Sequence, residues 1–132
     1  MKILTRDRAT STEALVPFRS NSAASLDGNS YDQHAFDSFC KLILSFGEYV
    51  ADWDGQGAAA PSPKLIENAL NYLTSIGRAY LLLPHDVSLT ADGTIVFEWK
   101  AVRFLQFVEI SDSGKHLTVI DTINKTSHTT RI

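Results

Sequence analysis

The apolar residues of this chain change their spacing at Pro84, and this change limits the fold more than any other feature. Before Pro84, apolar residues recur every three or four positions in two runs, as they do on one face of a helix. From Val87 onward they tend to alternate with polar residues, as in strands with one buried face. Two helices followed by strands indicate an α+β fold.

Polar residues at the ends of the two helical runs predict where each helix begins and ends. For the first helix we expect Ser30 to be the N-cap, with Gln33 completing a capping box, and an apolar face that continues to Trp53. For the second helix we expect Ser62 as N-cap, a proline in the first turn and Gly77 as a natural C-terminal stop. Residues 78–83 could instead extend the helix by a turn or two or form a packed connection, and Pro84 ends the segment in either case.

The strands are predicted from turn residues between β-type runs. Asp92-Gly93 predicts a two-residue hairpin turn, followed by a strand whose Phe97 and Trp99 face away from Glu98. Further strands are predicted over 103–110, over 117–123 and in the Thr-rich stretch 126–132, a polar edge strand. We therefore predict two N-terminal helices packed on one face of a four- to five-stranded antiparallel β-meander.

Composition predicts one soluble domain. Residues 31–132 are assigned to this domain, and residues 1–30, which are poor in apolar side chains, to a flexible N-terminal arm. The net charge of −3 gives no electrostatic case for binding nucleic acid or a membrane surface. The single cysteine, Cys40, allows no internal disulfide and is expected to be inert. With no signal peptide or membrane-spanning run, we expect a cytoplasmic protein.

The segment between the helices, Asp52-Trp53-Asp54-Gly55-Gln56-Gly57-Ala58, matches two known motifs only in part. It matches a loose dinucleotide fingerprint, but a helical run precedes it and the expected downstream acid is missing. It also fits the start of an EF-hand loop, but Pro63 stands where the bidentate Glu belongs. Asp side chains that accept backbone N–H groups, beside glycines with positive φ, explain the segment better.

Catalytic and cofactor sites are weakly supported. Asp52, Asp54, Glu98 and His85 are the residues that could build a small-ligand or hydrolytic site, although the sequence does not show that they converge. The histidines are scattered without metal-ligand spacing, so neither a metal nor a cofactor is expected. Trp53 and Trp99 are expected to be core residues.

Two motifs, W-D-G-x-G-A over 53–58 and D-G-x-I-x-x-E-W over 92–99, resemble those of a widespread family of small, uncharacterised bacterial proteins. The resemblance covers roughly residues 36 to 120 and implies structural roles for Trp53, Asp54, Gly55 and Gly57, and for Asp92, Gly93, Glu98 and Trp99. It also implies a mobile-element or defence setting, as for an antitoxin-like or inhibitor protein.

We therefore expect a non-enzymatic module that binds another protein, and the sequence also allows a homo-oligomer. Candidate binding residues are Asp52, Asp54, Gln56 and Glu98, on the open sheet face or on the loop with its exposed Gln56. The alternative is the small-ligand or hydrolytic site named above. A pocket that holds two adjacent carboxylates would favour that alternative.

Overall fold

The computed structural model describes residues 32–79 and 81–132, so the arm predicted for residues 1–30 lies outside the described residues. Two helices, α1 (Gln33–Phe46) and α2 (Pro63–Arg78), precede one antiparallel sheet. Its strands are β1 (Asp86–Leu89), β2 (Ile95–Lys100), β3 (Phe104–Ile110), β4 (Lys115–Asp121) and β5 (Thr126–Arg131), each paired with the next. The α+β class and the meander are confirmed, although α1 begins well inside the chain.

The first helix differs from its prediction at both ends. The N-cap is Asp32, whose carboxylate accepts the Ala35 N–H at 2.9 Å, so the capping box on Ser30 is wrong. The helix ends at its C-cap, Gly47, and the continuation to Trp53 is also wrong. A glycine inside a helix costs about 1 kcal/mol relative to alanine, which favours termination there.

The second helix begins as predicted and ends later. The Ser62 hydroxyl accepts the Leu65 N–H at 3.0 Å, and Pro63 occupies the first turn, where its missing N–H is not needed. Gly77 does not end the helix, which continues through Arg78. Gly77 instead lies against the ring of Phe36 in α1, where it allows the two helices to approach closely.

The turns of the sheet are longer than the sequence suggested. The Thr90 N–H donates to the Thr94 carbonyl at 2.9 Å, which leaves a three-residue loop ending at Gly93. Gly93 has φ +85°, but Asp92 is not among the residues with positive φ. Both primed two-residue turns, types I′ and II′, need positive φ at the first central position, which would be Asp92, so that prediction is wrong. Ile123, predicted in the fourth strand, lies in the exposed turn after Asp121.

Side chains alternate between the two faces of the sheet. We call the face bearing Val87, Phe97, Val108 and Leu117 the buried face; these side chains belong to the hydrophobic core. The opposite face, the outer face, bears Glu98 and Phe107 and is only half-buried. The core cluster also contains the helix residues Ile43, Phe46, Leu65, Ala69, Leu73 and Ile76.

Candidate functional site

The loop Asp52–Ala58, here called the Trp-Asp-Gly loop, is closed by its own hydrogen bonds. Asp52 has φ 68°, which turns the chain so that its N–H donates to the Ala58 carbonyl at 2.7 Å. One carboxylate oxygen of Asp52 accepts the Gly57 N–H at 2.7 Å. Gly57 has φ +89°, a conformation that favours glycine. The loop is therefore held in one conformation by contacts within a few residues.

Asp54 is committed to the same loop. Its Oδ1 atom accepts the backbone N–H groups of Gln56 at 2.8 Å and Ala58 at 3.0 Å. These two hydrogen bonds stabilise the carboxylate and lower the pKa of Asp54. A carboxyl group that stays ionised in this way is poorly suited to act as a general acid near neutral pH.

The two tryptophans, both expected in the core, are buried to different extents. Trp99 is fully buried, and its indole N–H donates to the Leu82 carbonyl at 2.8 Å. Trp53 is half-buried, donates to the Ala59 carbonyl at 3.1 Å, and lies 5.3 Å from the Tyr49 ring. Gln56, at the tip of the loop, is exposed.

The residues of the hydrolytic alternative fall into two separate pairs. The backbone N–H of His85 donates to the backbone carbonyl of Glu98 at 2.7 Å, while the ring atom His85 Nδ1 accepts the backbone N–H of Lys100 at 2.9 Å. Within residues 32–79 and 81–132, no hydrogen bond or ion pair joins this pair to Asp52 or Asp54. Over the same residues, no group of three or more His, Cys, Asp or Glu side chains could hold a metal ion.

The outer face of the sheet carries an apolar cluster beside acidic residues. Its apolar members, here called the outer patch, are Val96, Leu105, Phe107 and Ile120, all half-buried and all outside the core cluster. Leu105 pairs with Ile120 across β3 and β4, and Phe107 pairs with Glu98 across β2 and β3. This patch combines apolar area with charge at its border, as protein-binding surfaces do.

A cleft of about 430 Å³ lies between α2 and the β3–β4 turn, and the sequence reasoning did not identify it. One wall is a polar stripe of α2 at spacings of four, three and four residues, formed by Lys64, Asn68, Asn71 and Ser75. In the sequence, this helical spacing of polar residues is the signal that could have indicated the cleft. Asn68 already donates to the Ser111 carbonyl at 3.0 Å, and Asp112 accepts the Ser62 hydroxyl at 2.6 Å. Two polar residues of the cleft, Asn68 and Asp112, therefore form hydrogen bonds that join α2 to the turn between β3 and β4.

Two other polar groups serve the fold. The Asp121 carboxylate accepts hydrogen bonds from Arg103 Nε at 3.2 Å and from Arg103 Nη2 at 2.8 Å. It also accepts the backbone N–H groups of Ile123 and Asn124. The Arg103 hydrogen bond holds the pKa of Asp121 well below its usual range. Cys40 is half-buried, and burial together with Asp37 raises the pKa of its thiol. A raised thiol pKa lowers the fraction of reactive thiolate.

Comparison with protein-family models, with curated proteins and with solved structures found no match to this chain. The resemblance to a bacterial family through the Trp-Asp-Gly and Asp-Gly segments therefore stays a prediction. Among the residues that the structure describes, no helix is long and apolar enough to cross a membrane.

Proposed function

We propose that this chain is a non-enzymatic, cytoplasmic protein-binding module. The proposal depends on one observation: the carboxylates of Asp52 and Asp54 both accept backbone N–H groups of their own loop. They therefore serve to hold a rigid exposed loop in place. A rigid loop loses little conformational entropy when it binds a partner, which favours recognition.

We also propose that both helices cover the buried face of the sheet and leave the outer face open for binding. The Tyr72 ring of α2 contacts Phe97 of the buried face edge-on, with 5.3 Å between ring centroids. Phe36 and Phe39 of α1 pack against the same core cluster. The half-buried outer patch lies outside that cluster, which supports its assignment as a contact surface.

Two surfaces are thus candidates, the outer patch and the tip of the Trp-Asp-Gly loop. Near the loop, Tyr49 and Val50 follow α1, and Val50 is 70% exposed. The resemblance described above suggests an antitoxin-like or inhibitor role in a mobile-element or defence system. Such a role needs no catalytic group in this chain.

Site-specific photo-crosslinking in the native host tests the proposal. A photoreactive phenylalanine analogue is placed at Gln56, at Phe107 or, as a control, at the exposed Glu67 of α2. We expect one discrete adduct, larger than the 14.6 kDa chain, from Gln56 or Phe107 and none from Glu67. Absence of any adduct, or the same set of adducts from all three positions, would overturn the proposal.

A further inference from the structure

Two acidic residues occupy directly opposed positions on neighbouring strands of the outer face. Asp86 of β1 is the direct cross-strand partner of Glu98 of β2. Side chains in directly opposed positions have Cβ atoms about 4.5–5.5 Å apart, and like charges there are destabilising. In the described part of the chain, no donor or cation contacts either carboxylate. Among the described residues, this acidic pair therefore has no hydrogen-bonding or ion-pair partner on the outer face.

The nearby cations do not neutralise this pair. Lys100 lies on the same face, two residues beyond Glu98, yet it forms no ion pair with Glu98 among the described residues. Arg103 is held by Asp121 at 2.8 Å. A third acid of this face, Glu109, accepts only the Thr94 hydroxyl, at 2.9 Å, within the same residues. A cation supplied by a binding partner would therefore find favourable charge here.

The acidic pair borders the outer patch in one continuous row. Across the sheet, Asp86 pairs with Glu98, and Glu98 pairs with Phe107. Val96 and Leu105 flank this row, each two residues away from it along β2 and β3 respectively. An arginine suits such a row, because its guanidinium can bind carboxylates in a bidentate manner and stack on an aromatic ring.

We infer that the outer face binds a partner-protein segment that places one Arg or Lys between Asp86 and Glu98 and apolar side chains on the Phe107 cluster. This inference rests on the proposed function and names the surface and the chemistry of the partner. The complementary charges would speed association and select against acidic partners. The apolar contacts with Phe107 and its neighbours would supply most of the affinity.

Selection from a random peptide library against the full chain tests the inference. We expect enrichment of peptides with one or two Arg or Lys residues beside apolar residues. Binding of the best synthetic peptide is then measured by calorimetry for Asp86→Asn/Glu98→Gln and for the charge-matched control Glu67→Gln/Asp92→Asn. We expect a loss of affinity of about tenfold or more in the first variant, because Asp86 and Glu98 would be buried against the cation of the peptide. We expect less than about twofold in the control, because Glu67 and Asp92 lie outside the outer patch.

No enrichment, enrichment of acidic peptides, or equal losses in both variants would each overturn the inference. A dimer in sedimentation that Phe107→Glu dissociates would assign this face to a second copy of the chain and also overturn it. Chemical-shift changes at Phe107 on deleting residues 15–18, the apolar run Leu-Val-Pro-Phe in the predicted N-terminal arm, would assign this face to that segment of the chain and also overturn the inference. A crosslink at Gln56 alone would keep the proposed function while rejecting this surface.

Discussion

The ring of Phe36 in α1 fills the space where a side chain of Gly77 in α2 would begin. A Cβ atom at Gly77 would lie 2.8 Å from Phe36 Cε1, closer than such atoms normally approach. Gly77 is the next-to-last residue of α2, so helix propensity would stabilise Gly77→Ala by at most about 1 kcal/mol. Here overpacking against Phe36 costs about 1–3 kcal/mol, so we expect a net loss in the free energy of unfolding.

Urea denaturation of a double-mutant cycle checks this prediction. In a Phe36→Ala background the obstacle is gone, and Gly77→Ala should then stabilise the protein by roughly its helix-propensity gain. If Gly77→Ala stabilises the protein while Phe36 is present, the close approach of the two helices is not a constraint.

Tyr72 carries a buried hydroxyl group without a hydrogen-bond partner in the described structure. An unsatisfied buried polar group costs about 1–3 kcal/mol, and burial also raises the pKa of this tyrosine. Tyr72→Phe removes the hydroxyl and keeps the ring contact with Phe97. We expect the free energy of unfolding to rise by about 1 kcal/mol.

Thermal and urea unfolding measure the effect of Tyr72→Phe, with the exposed Tyr49→Phe as the matched control. The control should change stability by less than about 0.5 kcal/mol. A clear loss of stability in Tyr72→Phe would show that the hydroxyl has a partner, such as an ordered water molecule.

The order of the elements could be predicted from the sequence because hydrophobic period and turn residues are local signals. The start of α2 at Ser62-Pro63 and the alternation of Phe97 and Glu98 across β2 followed from such signals. The end of α2 did not, because Gly77 could equally have been a helix stop. The role of Gly77 depends on Phe36, about forty residues away in the chain, and no local sequence pattern indicates that contact.

The candidate site was only partly predictable for the same reason. The Asp and Gly residues of the Trp-Asp-Gly loop indicate a turn, and the structure shows Asp54 accepting the two backbone N–H groups. The pairing of Asp86 with Glu98 depends on strand register, which here is set by a three-residue hairpin loop. The sequence suggested a two-residue loop, and a register error of one residue moves a side chain to the other face.

The Asp121 carboxylate accepts the backbone N–H groups of Ile123 and Asn124 in the β4–β5 turn. The folded protein lowers the pKa of Asp121 below its unfolded value, first through Arg103 and then through the Asn124 N–H. Stability from this group is therefore fully present above pH about 4 and is lost as the pH falls through the lower, folded pKa. Asp121→Asn should reduce Tm at pH 7 and show a smaller loss of Tm on acidification.

Scanning calorimetry between pH 7 and pH 2 compares Asp121→Asn with Asp92→Asn, whose side chain is in an exposed turn. The control should follow the unmodified chain at every pH. A parallel pH dependence of Asp121→Asn and the unmodified chain would show that the Arg103 contact is not linked to stability.

Asp54 holds two amides of its loop, and Asp52 holds a third, which allows an internal control. Asp54→Ala removes the acceptor of the Gln56 and Ala58 N–H groups. Hydrogen exchange of these two amides should accelerate by about threefold to tenfold, as expected for the loss of a modest hydrogen bond. The Gly57 amide, bound by Asp52, should change less. Equal acceleration of all three amides would mean that the loop opens as a unit and that Asp54 has no separate local role.

In the unmodified chain, the lowered pKa of Asp54 should keep the carboxylate ionised, and able to accept both N–H groups, from neutral pH to below its ordinary pKa.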